Sequence, residues 1–451
     1  MGQKITLLVL GDVLVSMLAI YIAFLIGTVE GAQIPGSLEI FIFVLVTLFS
    51  SYFLELYSRK RVFRISLKEM PAIILLGLAV SFFVLTSVFF MFPSLALFGR
   101  RKLLLALSIF GLLQFAWHYS YQSLLNLTGM KQNVLVLGTG DLARKMEQIM
   151  FLHKTHYAFA GYYDLSANNS QDRASPSQAS CEGLVDIAKK EKIDKLVVSV
   201  TERRGVFPLQ ELLNCKFAGV DIVDAPSFYE EVMGKMLIEN ITPGWFIFAD
   251  GFKLNRTVKF FKRISDVVFA CVGLIFTSPL FPLIALLIKI DSKGPVFYRQ
   301  LRVGEGEVNF YLIKFRTMKQ DAETQSGAVW AQKNDKRITR IGSILRKLRL
   351  DELPQFINVL KGEMSFIGPR PERPEFVAKL QQTIPYYINR HFVKPGITGW
   401  AQIKYRYGAS EEDSLEKLRY DLYYIKNLSP LLDTSIIIDT IKVVLFGKGA
   451  R

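Results

Sequence analysis

The chain has 451 residues, is 51% hydrophobic with a mean hydropathy of +0.27, and carries a formal net charge of +15. That length exceeds one compact domain, and that apolarity excludes an ordinary soluble protein. A basic surplus suits nucleic acid, anionic lipid or phosphorylated substrates, and the apolar segments favour the last two.

Four apolar segments fill the first quarter, at about 5–27, 38–57, 71–92 and 103–123. Each is near the ~20 residues that a helix needs to cross the hydrocarbon core. The first is long, contains Asp12, lacks a small-residue cleavage site and is followed by further spans. It therefore reads as a retained span and not as a removed leader. Residues 1–125 are expected to form four transmembrane helices. The loop 58–70 carries Arg59, Lys60, Arg61, Arg64 and Lys68, whereas 28–37 has Glu30 and no Lys or Arg. The positive-inside rule then places the N-terminus and everything after residue 124 in the cytoplasm. Arg100, Arg101 and Lys102 run against it, because they fall at the outer face. Asp12 and Glu55, near the spans, are assigned to helix packing or interfacial placement.

Residues 130–226 change character. NVLVLGTGDLARKM reads strand, glycine turn, helix; FAGYYD (159–164) reads as a second strand; 183–200 and 209–224 read as two more helix–strand units. This alternation predicts a parallel, Rossmann-like α/β domain, with the Ser-, Asn- and Gln-rich stretch 166–180 as a loop. Gly138-x-Gly140-x-x-Ala143 follows the first strand, with Asp164 at about the distance of a ribose-binding acid. A bound dinucleotide or nucleotide sugar fits that pattern. No Tyr-x-x-x-Lys follows, and the unit is too short for a six-stranded sheet, so it reads as a retained scaffold whose glycines make the turn. Residues 227–258 form a connector with a turn at Pro243-Gly244.

A fifth apolar segment, 264–288, is interrupted by Pro279 and Pro282 and flanked by Lys259, Lys262 and Arg263 before it and Lys289 and Lys293 after it. Proline removes a backbone donor and clashes with the preceding turn. A straight span would also carry one basic cluster across the membrane. The segment is expected to enter one leaflet and return, breaking at Ser278-Pro279, with the Ser278 hydroxyl a partner for freed carbonyls. Residues 431–446, interrupted by Asp433, Asp439 and Lys442, suit an interfacial helix. Ile384 to Phe392 suits either the interface or ordinary packing. The three cysteines are widely spaced, which argues against a disulfide framework or a zinc site, and the four histidines form no ligand constellation.

Residues 346–373, RKLRLDELPQFINVLKGEMSFIGPRPER, set Asp351-Glu352 among Arg346, Lys347, Arg349, Arg370 and Arg373. A carboxylate can attack phosphorus or hold Mg²⁺, and guanidinium groups neutralise phosphate oxygens. Alone, such a pair would read as a helix N-terminus with surface salt bridges. Here it sits in register with GPVFYRQLRVG (294–304), KFRTM (314–318), RITRIGSILRKLRLDELPQ (337–355), GEMSFIGPRPERPEF (362–376) and KPGITGWAQ (394–402).

These ordered blocks, from about Lys262 to the C-terminus, resemble the bacterial sugar transferase family, the monotopic phosphoglycosyl transferases. The resemblance implies a mixed α/β transferase domain with a re-entrant helix over 259–451. It implies transfer of a sugar 1-phosphate from a UDP-sugar to undecaprenyl (polyprenyl) phosphate, releasing UMP, as the first step of exopolysaccharide synthesis at the cytoplasmic face of the bacterial inner membrane. Asp351 is then the nucleophile that becomes a phosphosugar-aspartyl intermediate. Glu352 helps to hold Mg²⁺ with it or tunes it. Lys314, Arg316, Arg346 and Arg370 contact phosphate, and Arg263 meets the lipid phosphate near the mouth of the re-entrant helix, with Asp266 orienting it or other groups. Thr398, Gly399 and Trp400 line the nucleotide pocket or form a turn. Arg406 matches a family arginine, but IKYRYGASEED (403–413) lacks the Asn-Gly pair common there and resembles exosortase-associated members, which leaves the sugar open. Partners are the UDP-sugar, the polyprenyl phosphate, membrane lipid and a second copy of the chain through the middle domain, with no nucleic acid.

Two other functions compete. An inverting glycosyltransferase with a lipid acceptor would release UDP and commonly uses a D-x-D metal motif, which this chain lacks. A non-enzymatic nucleotide-sensing membrane regulator built on the Gly138–Ala143 loop would work without Asp351.

Overall fold

The computed structural model describes residues 2–26, 36–54, 56–57, 70–92, 100–127, 131–152, 157–164, 183–200, 208–241, 243–249, 251–252, 256–319, 337–405, 408 and 410–446. The N-terminal part is helical: α1 (Gly2–Ile26), α2 (Ser37–Phe53), α3 (Met70–Met91) and α4 (Arg100–Leu127). They meet through Ala19, Ala23, Phe43, Leu85, Ala106 and Phe110, all buried. Alanines let apolar helices approach closely where lipid supplies no hydrophobic drive. Among the described residues, three helices, α1, α3 and α4, are long and apolar enough to cross a membrane, while α2 is a 17-residue apolar helix. Asp12 is buried among them, accepting hydrogen bonds from Tyr57 (2.6 Å) and Gln114 (2.8 Å) and facing His118 Nε2 at 3.0 Å. It is a packing residue, as its position in a span suggested. Glu55 and nearly all of the loops 28–37 and 58–70 lie outside the described residues.

The middle part comprises β1 (Gln132–Leu137), α5 (Asp141–Leu152), β2 (Tyr157–Tyr163), α6 (Leu184–Lys190), β3 (Lys195–Val198), α7 (Leu209–Phe217), β4 (Asp221–Asp224) and α8 (Ala225–Met233). All strand pairs are parallel, in the order β2-β1-β3-β4. Alternate residues of β1 point to opposite faces. Val134 and Val136 pack with Met146 and Phe228 on one side, and Leu135 and Leu137 with Leu184 and Leu212 on the other. A sheet buried on both faces demands such continuous apolar strands. Gly138 turns the chain with φ +104°, which a side chain would strain, and its N–H donates to Tyr163 O at 2.8 Å, beside Asp164. The loop 166–180 lies outside the described residues.

The connector differs from the expected turn. Pro243 opens a short helix, α9 (Pro243–Phe248), at the first helical position, where its missing N–H and fixed φ cost nothing. Met236, Ile238 and Ile241 are buried in one core with Leu380, Tyr387, Leu418 and Leu422 of the C-terminal part. Glu230 of α8 pairs with Lys426 at 2.6 Å.

The C-terminal part starts with α10 (Arg256–Thr277) and α11 (Leu280–Asp291), which meet at a 63° bend over Ser278-Pro279. Thr277 Oγ1 donates to Gly273 O and Ser278 Oγ to Ile275 O, so side chains satisfy carbonyls at the break. Ile275, Phe276, Leu283, Leu286 and Ile290 are exposed and form an apolar sheath. Then follow the antiparallel pair β5 (Phe297–Val303) and β6 (Asn309–Phe315), α12 (Arg340–Lys347), α13 (Gln355–Lys361), β7 (Ser365–Ile367), α14 (Pro374–Thr383), β8 (Gly396–Thr398), α15 (Trp400–Lys404), α16 (Glu411–Lys426) and α17 (Pro430–Phe446). β7 and β8 pair in parallel. α17 covers the apolar stretch 431–446; its Ile436 is fully buried, and Thr440 hydrogen-bonds Thr398 at 2.7 Å. Of the two readings of 384–392, packing holds for Tyr387, Arg390 and His391, which are buried.

Candidate active site

The acid pair sits in a 3₁₀ turn, Leu350–Glu352, between α12 and α13. Thr339 caps α12 by accepting from Gly342 N at 3.0 Å. A Cβ on Gly342 would come within 2.1 Å of Thr317 O, so glycine lets α12 lie tightly on the chain leaving β6. Arg349, two residues past α12, has a φ of +56°, in the left-handed region, and Pro354 precedes α13. A non-glycine residue held there is locally strained. The two carboxylates are thus fixed side by side, Asp351 8% and Glu352 9% exposed.

Their surroundings differ. Glu352 Oε1 accepts from Lys314 Nζ at 2.9 Å and from Arg370 Nη2 at 2.8 Å, and Arg349 Nη1 lies 3.7 Å from Oε2. Asp351 accepts no side-chain hydrogen bond and makes no ion pair among the described residues. Burial would push Glu352 up, but Lys314 and Arg370 overcome it and hold its carboxyl well below the usual carboxylate range. For Asp351, burial prevails: with the neighbouring charge of Glu352 it raises the carboxyl, against the pull of Lys314, Arg346 and Arg370. Burial also lowers the Lys314 ammonium. Glu352 raises the Arg370 guanidinium, which stays charged.

Lys314 reaches the site from β6, opposite Tyr298 of β5. Arg370 comes from the turn after β7. Gly368 N donates to Thr398 O (2.9 Å), and Gly396 N to Pro369 O (2.8 Å). A Cβ on Gly396 would lie 2.0 Å from Gly368 N, so only glycine permits this approach. Arg346 donates from Nε to Thr317 Oγ1 at 2.9 Å.

Lys314, Arg346 and Arg370 therefore converge on Asp351-Glu352, and the other candidates are engaged elsewhere. Arg263 donates to the carbonyls of Val359 (2.7 Å) and Leu360 (2.8 Å), closing the C-terminal end of α13. Asp266 does not touch it; Asp266 Oδ1 accepts from Ser365 Oγ and Phe366 N, each at 2.9 Å. Arg316 is buried and donates to Lys293 O (2.9 Å) and Ser292 O (2.8 Å), fastening the exit of α11. Arg406 lies outside the described residues. Ser278 and Pro279 form the bend, Gly138 and Gly140 lie in the turn between β1 and α5, and Asp164 directly follows β2. Trp400 donates from its indole to Gly234 O at 2.8 Å. The sequence placed Arg349 beside the pair and Arg302 in a family block but gave neither a role, and no local pattern marks Arg390.

Among the described residues, no three His, Cys, Asp or Glu side chains cluster as a metal cage. Two adjacent carboxylates, one of them without an ion pair among the described residues, still fit Mg²⁺, which takes one or two protein carboxylates and completes its shell with water and phosphate oxygens.

Residues 257–447 match the bacterial sugar transferase family. The chain is 44% identical over 241 residues to a UDP-N-acetylgalactosamine-undecaprenyl-phosphate N-acetylgalactosaminephosphotransferase of Aeromonas hydrophila, covering 53% of this chain and 56% of that protein. It is 33% identical over 329 residues to an undecaprenyl-phosphate glucose phosphotransferase of Komagataeibacter xylinus, covering 71% and 60% respectively. It is 40% identical over 194 residues to the exopolysaccharide production protein PSS of Rhizobium leguminosarum bv. phaseoli, covering 42% of this chain and 97% of the relative. The match thus spans less than two thirds of the first two relatives' own lengths.

Proposed function

Because the chain belongs to the bacterial sugar transferase family, we propose that it transfers a sugar 1-phosphate from a UDP-sugar to undecaprenyl phosphate, releasing UMP, through a covalent aspartyl intermediate. The observation that carries this reading is the contrast within the acid pair. Glu352 is held by Lys314 and Arg370, while Asp351 beside it has no partner among the described residues. An unpartnered carboxylate in a cationic pocket is poised to attack an anionic phosphorus.

In the first step an Asp351 carboxylate oxygen forms a bond to the sugar-bearing phosphorus. The bond from that phosphorus to the bridging oxygen breaks, and UMP departs with the electron pair. In the second step a phosphate oxygen of the polyprenyl phosphate attacks the same phosphorus, and the Asp351 oxygen leaves as a carboxylate. Lys314, Arg346 and Arg370 place positive charge where phosphate charge concentrates, preorganised by Glu352 and Thr317. Glu352 keeps Lys314 and Arg370 charged and aimed. Mg²⁺, held by Asp351 and Glu352, would add positive charge at the phosphate oxygens.

Two steps let each anionic substrate meet the site alone. The lipid reaches it along the bent α10–α11 pair, whose exposed Ile275, Phe276 and Ile290 suit acyl chains. This pair enters one leaflet and returns, with α1–α4 as four further membrane helices and the C-terminal part in the cytoplasm. The middle domain serves assembly or regulation, in a pair of chains. The donor is placed at the level of a UDP-hexose.

The test is incubation of the purified full chain with undecaprenyl phosphate and a panel of UDP-sugars. UMP release supports phosphosugar transfer. UDP release would make the chain a glycosyltransferase.

A further inference from the structure

Arg390 lies in a second 3₁₀ turn, Tyr387–Phe392, and is only 5% exposed. Its guanidinium has three acceptors. Nη1 donates to Tyr387 Oη at 2.7 Å, and Nη2 to Asp421 Oδ2 at 2.8 Å and to the backbone carbonyl of Arg370 at 3.0 Å. Asp421, on α16, is 2% exposed, and Tyr387 is as deeply buried. The next two carbonyls of the same turn are held as well: Pro371 O accepts from Arg302 Nη1 at 2.9 Å, and Glu372 O from Val303 N at 3.0 Å.

A buried ion pair contributes little net stability once desolvation is counted, and an apolar substitute often does as well. What a planar guanidinium with three fixed acceptors does contribute is geometry. Arg370 then extends from a backbone clamped from behind, and its side chain reaches Glu352 at 2.8 Å. We propose that Arg390, oriented by Asp421 and Tyr387, is a positioning residue that sets the Arg370 backbone so that its guanidinium meets both Glu352 and the incoming diphosphate. This rests on the reading of Arg370 as a phosphate-contacting residue.

A double-mutant cycle in the full-length protein tests it, with radiolabelled UDP-sugar and undecaprenyl phosphate, scored on total uridine nucleotide released. Arg390→Lys keeps the charge and loses the fork. It should lower kcat by about 10- to 100-fold, with KM for the UDP-sugar moved far less, because misplacement of a group acting in the transition state lowers kcat. In an Arg370→Ala background the same change should have almost no further effect. Tyr387→Phe, which keeps the ring and removes one acceptor, should show the same dependence at smaller amplitude and serves if Arg390→Lys folds poorly. Equal losses in both backgrounds, or no loss in either, would overturn the proposal. The cycle reads the same whether the nucleotide is UMP or UDP, so a wild type that releases UDP defeats the proposed chemistry while the cycle still decides the role of Arg390.

Discussion

Asp351 and Glu352 are chain neighbours in one turn with opposite electrostatic settings: burial drives the Asp351 carboxyl up, and Lys314 and Arg370 hold the Glu352 carboxyl down. The pair therefore divides into a carboxylate with no partner among the described residues and an anchoring one.

The division gives opposite stability effects. A carboxyl raised in the folded state contributes stability below its unfolded value and loses it as pH rises, so ionised Asp351 costs stability at neutral pH. Glu352 is depressed, so its contribution is present above its unfolded value and is lost only in acid. Asp351→Asn should melt at or above the wild-type temperature, whereas Glu352→Gln, leaving Lys314 and Arg370 without their anion, should melt several degrees lower. Thermal unfolding in one detergent compares them; a stabilised Glu352→Gln would contradict the account.

In the proposed mechanism the raised Asp351 also sets the acid limb of activity. Only its carboxylate form would attack, so a raised carboxyl loses activity at a higher pH than the ordinary aspartate value of about 3.9. With Arg390 positioning Arg370 as proposed, buried Asp421, pushed up to about 6, adds to the same limb. The rate of UMP release should fall as pH drops through this range. In Glu352→Gln the Asp351 component should move to lower pH, because a neighbouring negative charge is gone; movement to higher pH would count against the coupling.

Arg370→Ala should reduce turnover by about 10²–10³-fold, the usual effect of removing one preorganised electrostatic contact. Arg263→Ala should act otherwise. Its guanidinium closes the end of α13, so the expected loss is in melting temperature, with kcat per folded molecule changed far less. Activity normalised to folded protein separates the two, and equal kcat losses would place Arg263 at the substrate.

A chain starting at Arg256 should fold poorly although every family block lies beyond it. It lacks Met236, Ile238 and Ile241, which are buried in the C-terminal core, and the Glu230–Lys426 pair. Each buried aliphatic side chain contributes about 1.5–3 kcal/mol, so their joint loss approaches the whole stability of a domain. A chain starting near Ala225 keeps all four residues and should remain monodisperse. A stable, active chain from Arg256 would refute this.

Legibility in the sequence followed the range of the interactions. Hydrophobic runs and glycine turns act locally, so α1, α3, α4 and the strands β1 to β4 were readable, as was the break at Pro279. The family blocks marked Asp351, Glu352, Lys314, Arg346 and Arg370, and the fold brings these five side chains together. The partners of Arg263 and Arg316 were not legible, because a guanidinium serves a phosphate or a helix-end carbonyl equally well. Arg263 and Arg316 have the same composition signal as Arg370 and bind backbone. The Arg390–Asp421 pair, separated by 31 positions, has no local pattern at all.

The most direct measurement of the central claim is trapping. Wild-type protein incubated with UDP-sugar radiolabelled in the sugar, without lipid acceptor, should retain label covalently and release UMP in equal amount, and the label should discharge when undecaprenyl phosphate is added. Asp351→Asn, whose amide cannot attack phosphorus, should neither retain label nor release UMP. Label retained by Asp351→Asn, or UDP as the nucleotide released by wild type, would contradict the account.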